Sequence, residues 1–200
     1  MGGLRQTKKA ATRQQIADTA MRLFVSHGFD HVTVAQIAAE AGVSEKTVFN
    51  YFPSKEDLFF DEVPDRLREL AAAIHARPEG ESVLAALRRL QLAQVARLTS
   101  PGFVQFARTL EGAPELVAKE GDVMARFSQA LAESLRAEGL DERDARTVSA
   151  MVVSVHRQHF RTARRLALEG RNGPGAARRL RADIGRAFEL LEHGLAELLG

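Results

Sequence analysis

Cysteine is absent from the 200 residues, which excludes disulfides and thiolate metal sites and fits an expected cytoplasmic location. No stretch comes near the roughly 20 apolar residues needed to cross a bilayer. The clear apolar runs are short ones, such as 150–153, and no membrane partner is expected. The opening MGGLRQTKK is basic but has no apolar region behind it, so it is not read as a secretory signal. Gln6 breaks the Met-Gly-x-x-x-Ser/Thr lipidation pattern. Strict alternation of apolar and polar residues is also missing, as is any internal repeat. The signatures G-x-S-x-G, H-E-x-x-H and the phosphate-binding P-loop do not occur. GRNGPG at 170–175 lacks the preceding strand of a nucleotide-binding turn. The chain is therefore not expected to be an enzyme or to carry a cofactor. His156 and His159 stand at H-x-x-H spacing, but no third ligand lies nearby in sequence and no metal is expected.

Neither sign of charge dominates. The formal net charge is +2, so the molecule is no polycation, and the distribution carries more information than the total. Before Asp18 the chain has Arg5, Lys8, Lys9 and Arg13 and no acid. This start reads equally as a basic arm for phosphates or the minor groove and as a disordered, solvated leader. A second cluster, Arg157, Arg161, Arg164, Arg165, Arg171, Arg178, Arg179 and Arg181, reads mainly as a solvated face with the loop that follows.

What is present points to helices, and most sharply between Thr33 and Lys55, TVAQIAAEAGVSEKTVFNYFPSK. Thr33 with Gln36 has capping-box spacing, and Val34, Ile37, Ala38 and Ala41 give the helix a small apolar face. Gly42 supplies the left-handed residue of a tight turn. Ser44 caps a second helix, on which Val48 and Phe52 face inward before Pro53 ends it. The pattern is that of a helix-turn-helix whose second helix, 44–52, would lie in a DNA major groove.

Together with the exit TVFNYFPSKEDLF (Thr47 to Phe59), this unit resembles the tetracycline-repressor-like (TetR) family of bacterial transcriptional regulators. The resemblance is specific over about residues 10–60 and elsewhere rests on length and an all-helical pattern. It implies that positions matching Ser44, Glu45 and Lys46 face base edges, and that those matching Thr47, Tyr51 and Lys55 grip phosphates. Side-chain chemistry agrees. Lys46 can donate to guanine, Glu45 can accept from cytosine, and the Thr47, Tyr51 and Lys55 donors suit phosphate oxygens. Thr33, at a helix N-terminus, can offer its backbone amide to a phosphate. Phe49 stands where the family usually has tyrosine, leaving its ring for a thymine methyl; Asn50 suits either base or phosphate.

Further helices are expected at 12–27, from Ser54 to Ala76 with a kink at Pro64, and at 82–99, 102–111, 114–138, 141–169 and 175–199. The expected fold is all-α, about nine helices in total. A three-helix DNA-binding domain would occupy residues 1–53 and a larger helical ligand-binding and dimerisation domain residues 54–200. Ile184, Phe188, Leu191, Leu195 and Leu198 form a seam at alternating four- and three-residue spacing. Val148, Met151, Val152, Val155, Thr162 and Leu166 line the helix before it. The resemblance favours reading these stripes as a homodimer interface over the closing of a monomer's core. A two-fold dimer also doubles the DNA site read by one helix.

In the middle of the chain, glutamines interrupt an apolar stripe at Gln91 and Gln94. Phe103, Phe106, Met124, Phe127 and Phe160 supply apolar walls, and His75, His156 and His159 supply polar handles. The residues alone read equally as a plain core with satisfied polar groups and as a pocket; the resemblance implies a pocket for a small, lipophilic effector. The expected function is a DNA-binding transcriptional regulator, a ligand-responsive repressor acting as a homodimer on a palindromic operator in double-stranded DNA. The kinked fourth helix would couple ligand to DNA. The alternatives are a helical sensor or enzyme whose N-terminal domain docks protein, and a ligand-independent architectural DNA binder.

Overall fold

A computed structural model of the chain describes residues 2–194, and for residues 2–6 the backbone alone. The described residues form helices and no strand, and the chain divides into two compact units. The first comprises residues 1–63 and 108–120, the second 64–107 and 121–200. This division departs from the expected border at 53/54. It extends the head to Val63 and adds a segment from the middle of the chain.

In the first unit, α1 spans Gly2–His27, α2 Val34–Glu40, α3 Glu45–Tyr51 and α4 Lys55–Phe59. The end of α8 (Pro101–Glu111) and the start of α9 (Pro114–Ala137) complete it. Helix α1 begins ten residues ahead of the expected start at residue 12. Thr12 lies inside the helix, its hydroxyl donating to the Lys8 carbonyl at 3.0 Å. The stretch from Leu4 to Ala11 is rich in good helix formers and contains no proline, so nothing there stops the helix. The basic start is thus helical along its backbone, contrary to both the flexible-arm and the disordered reading. Gly28, with φ +85°, ends α1.

The core of this unit is built from Ile16, Ala20, Phe24, Ile37, Val48, Phe52, Leu58 and Phe59, joined by Leu110 and Leu116. Phe24 lies 4.9 Å from Phe29 and 6.5 Å from Phe59, ring centre to ring centre. Each of the large side chains among them, Ala20 aside, stabilises the unit by about 1.5–3 kcal/mol relative to its exposed state.

The second unit contains α5 (Val63–His75, from Pro64 on), α6 (Val83–Ala93), α7 (Val95–Leu98), α10 (Glu142–Leu168) and α11 (Pro174–His193), with the remaining parts of α8 and α9. Two expected helices are each broken in two. The anticipated kink at Pro64 is a full break. Helix α4 stops at Phe59, and Pro64 sits in the first turn of a new helix, where its missing N–H leaves no bond unmade. Helix α6 ends at Gln94, whose N–H is shared between the carbonyls of Leu90 (3.3 Å) and Gln91 (3.2 Å) before α7 begins. Asp141 caps α10 by accepting from the Asp144 amide at 2.9 Å.

Helix α11 packs against α6, α7 and α10. This overturns part of the expected dimer seam. Ile184 is 1% exposed and Phe188 0% exposed within the single chain, so both belong to its core and have no surface left for a second copy. Val152 and Leu166 on α10 are likewise buried. Leu191 is half-buried, and Leu195 and Leu198 lie outside the described residues. The apolar surface that remains is a different stripe. Met151 is 48% exposed on α10, with Val148, Val155 and Thr162 half-buried along the same side; Leu190 and Leu191 on α11 are also half-buried.

Candidate nucleic-acid interface and interior cluster

The helix-turn-helix is locally over-determined. Thr33 Oγ1 accepts from the Gln36 amide at 3.2 Å while the Thr33 amide donates to Gln36 Oε1 at 2.8 Å, closing the capping box. Gly42 has φ +67°, and the Val43 amide donates to the Ala38 carbonyl at 2.9 Å. Ser44 Oγ accepts from the Thr47 amide at 3.1 Å and shares a 2.8 Å hydrogen bond with the Thr47 hydroxyl. Val48 and Phe52 are buried, which fixes the roll of α3. Helical spacing then puts Glu45 with Phe49, and Lys46 with Asn50, on the outward side. All four are exposed, and Phe49 is a 50% exposed aromatic. Tyr51 is half-buried at the end of the helix.

Lys55 departs from the expectation of a free phosphate grip. Its Nζ donates to the carbonyls of Phe29 (2.9 Å) and Val32 (3.1 Å) and lies 4.0 Å from the Phe29 ring centre. Two of its three donors therefore brace the turn before α2. The Thr47 and Ser44 hydroxyls are similarly engaged with each other. Thr33 is exposed, but its amide is already spent on Gln36. The outward set is thus Glu45, Lys46, Phe49 and Asn50, with the half-buried Tyr51 at its edge.

Arg13, read from sequence only as part of the basic start, has a structural role that spacing did not show. Its guanidinium donates to the Asp61 carbonyl at 2.8 Å and lies 4.7 Å from the Phe52 ring centre, tying α1 to the end of α4. Its partners are 39 or more positions away, so no local spacing could reveal them. Beside it, the Asp61 carboxyl is pushed up to about 6, first by burial and then by Glu62 and Asp18, against the opposing pull of Arg13.

In the second unit, part of the expected ligand set comes together. Phe106 stacks on Phe103 with ring centres 5.9 Å apart, and both meet Phe160 edge-on at 6.1 and 5.5 Å. One turn before Phe160 on α10, His156 lies against Phe127 at 5.8 Å. Gln91 is buried, and its Oε1 is 3.3 Å from His159 Nδ1. The His156 imidazole is pushed down to about 4, first by burial and then by Arg97 and His159. The ring is packed around closely enough to lose its hydration, yet it keeps some accessible surface, as do Phe106 and Phe127. Among the described residues no cluster of three or more His, Asp or Glu could hold a metal ion.

Two expected ligand residues stand elsewhere. His75 is on the surface, its Nδ1 3.0 Å from Glu138 Oε1, and Arg77 joins the same carboxylate at 2.6 Å. These partners, Arg77 first, hold the Glu138 carboxyl below the usual range. Gln94 bridges two charges. Its Nε2 donates to Glu69 at 3.4 Å and its Oε1 accepts from Arg97 Nε at 3.2 Å. Its amide is thereby satisfied without a ligand. No helix of the described residues is long and apolar enough to cross a membrane.

Residues 16–61 match the family model described as bacterial regulatory proteins, tetR family. Over 85 residues, 42% of this chain and 38% of the relative, the sequence is 39% identical to the HTH-type transcriptional regulator TcmR of Streptomyces glaucescens. Over 123 residues it is 30% identical to the HTH-type transcriptional repressor AcnR of Corynebacterium diphtheriae, covering 54% of this chain and 63% of that one. The match thus spans less than two thirds of each relative. Among solved structures, FadR of Thermus thermophilus, a TetR-family transcriptional repressor in complex with lauroyl-CoA, superposes with a TM-score of 0.59. That likeness covers 92% of this chain and 94% of the other at 24% identity, and it is a likeness of fold.

Proposed function

We propose that this chain, whose residues 16–61 match the tetR family of bacterial regulatory proteins, is a cytoplasmic, ligand-responsive repressor of transcription that binds a palindromic operator as a homodimer. The observation that carries the reading is the outward face of α3. Buried Val48 and Phe52 leave Glu45, Lys46, Phe49 and Asn50 exposed together. That combination of acceptor, cation, ring and amide matches the chemistry of base edges and the thymine methyl in a major groove. Tyr51, Lys8 and Lys9 supply donors for phosphates.

A second copy would join along Met151 and Val155 of α10 and Leu190 and Leu191 of α11, the apolar stripe left uncovered in one chain. Two recognition helices must then enter major grooves about 34–36 Å apart, or a multiple of that. An effector would bind among Phe103, Phe106, Phe127, His156 and Phe160. Helix α8 carries Phe103 and Phe106 and contributes its last turn, from Arg108, to the DNA-binding unit. Displacing those rings would act on that unit along one continuous helix, a route that replaces the kinked fourth helix expected from sequence. By mass action, an effector that releases DNA must bind the DNA-free form more tightly. Selection of bound duplexes from a random pool tests the reading. Enrichment of a two-fold symmetric motif is expected, and an unenriched pool would contradict it.

A further inference from the structure

Glu45 and Phe49 stand four positions apart on α3, which puts their Cβ atoms about 5–6 Å from each other on one side of the helix. Burial of Val48 and Phe52 turns that side to solvent. Glu45 makes no hydrogen bond or ion pair among the described residues. Phe49, at 50%, is the most exposed of the large apolar side chains among them. A carboxylate beside a bare ring is a demanding pair to present to a polyanion. Phosphates repel the carboxylate, so in a major groove it is stable only opposite an amino donor, cytosine N4 or adenine N6. The ring offers no hydrogen bond and gains only by covering apolar surface, which in that groove is the C5-methyl of a pyrimidine.

Side by side, the two residues call for an amino donor next to a C5-methyl. None of the four ordinary bases in its pair has that order. In A·T the thymine O4 acceptor, which a carboxylate rejects, separates the adenine amino group from the thymine methyl. In G·C the cytosine amino group adjoins a plain C5–H. A methyl on C5 of cytosine supplies the missing neighbour.

We propose that α3 recognises 5-methylcytosine, the Glu45 carboxylate accepting from its N4 amino group while the Phe49 ring covers its C5-methyl, so that operator binding responds to cytosine methylation. This rests on the reading of α3 as the helix that meets DNA. Each residue then makes one discrimination. Glu45 separates 5-methylcytosine from thymine, which shares the methyl but presents an acceptor at position 4. Phe49 separates it from cytosine, which shares the donor but lacks the methyl. Lys46 and Asn50, also exposed on α3, are left for neighbouring base edges.

The test uses the full chain and the duplex it selects from a random pool. At each pyrimidine of the half-site, in both halves at once, 5-methylcytosine, cytosine, thymine and uracil are compared, each opposite its own partner base. At one position 5-methylcytosine is expected to bind tightest and uracil weakest. Methylating cytosine there should raise affinity about fourfold per half-site, as burial of one methyl does, and about tenfold or more in the symmetric duplex. Phe49→Ala should bind 5-methylcytosine and cytosine equally while still preferring cytosine to thymine. Glu45→Ala should lose the preference for cytosine over thymine and keep the gain from the methyl. Should a variant not fold, the four bases with the unaltered protein still decide. Methylation that is neutral or weakening at every cytosine, a half-site with no responding cytosine, or a gain that survives Phe49→Ala would each overturn the proposal. So would a response to uracil in place of thymine with none to cytosine methylation, since ring and carboxylate would then lie on two base pairs. In all of these the duplex itself is still bound and the operator reading stands, whereas absence of binding to any duplex would overturn both.

Discussion

In the first unit, the polar groups of α3 face outward from a largely apolar core, whereas in the second Gln91 and His159 are buried. Glu45, Lys46 and Asn50 are exposed on α3, while Gln91 and His159 are buried against each other and His156 lies against Phe127. The difference shows most plainly in how the two units answer acid. Asp61, pushed up to about 6 in the first unit, is held ionised at neutral pH against its surroundings; acid relieves that. His156, pushed down to about 4 in the second, is held neutral, and acid works against it. The unit proposed to meet DNA and the unit proposed to receive an effector thus carry pH responses of opposite sign.

Removing buried aromatics should have the largest effect in both units. Phe52→Ala is expected to destabilise the first unit, and Phe188→Ala the second, each by about 3–5 kcal/mol in denaturant unfolding. The second variant also separates core from interface. As a core residue, Phe188 should cost the same at all protein concentrations, whereas an intersubunit residue would make the loss grow on dilution.

The opposing pH responses come next in size. For His156 the folded pKa lies below the unfolded value of 6.5. Its contribution is therefore fully present above about 6.5 and is lost as pH falls toward 4, by an amount on the order of 2–3 kcal/mol. For Asp61 the folded pKa lies above 3.8. The penalty is present above pH 6 and relieved as pH falls toward 4, by about 1 kcal/mol after allowance for solvent screening. Thermal melts between pH 4 and 8 should show Asp61→Asn stabilising at pH 8 but not at pH 4. His156→Phe should flatten the acid-side loss. The same sign for both variants would break the comparison.

The outward face offers a finer contrast. Lys46→Ala should relax preference at one base pair by about 1–3 kcal/mol, and Tyr51→Phe should weaken all sequences alike. A uniform loss with Lys46→Ala would move that residue from base reading to backbone contact.

The two units were also unequally legible in the sequence. The helix-turn-helix is written in interactions three to five residues apart, such as Thr33 with Gln36, Ser44 with Thr47 and Ala38 with Val43 across Gly42. Each has a local signature. The second unit depends on pairs such as Gln91 with His159 and His75 with Glu138, 68 and 63 residues apart, which leave no trace in spacing. The stripe at Ile184 and Phe188 correctly marked an apolar helix face. Spacing alone could not say whether α6 of the same chain or a second copy would cover it. Lys55 was misjudged for a related reason, since the carbonyls it braces lie 23 and 26 residues upstream.

The central claim is that the α3 face and the basic start of α1 meet DNA. Its most direct test is the equilibrium affinity of the unaltered protein for its selected duplex across a salt series. Each neutralised phosphate contributes about −0.9 to the slope of log affinity against log salt, and several are expected per subunit. The account predicts a straight, steeply negative line. A flat line between low and moderate salt would contradict it.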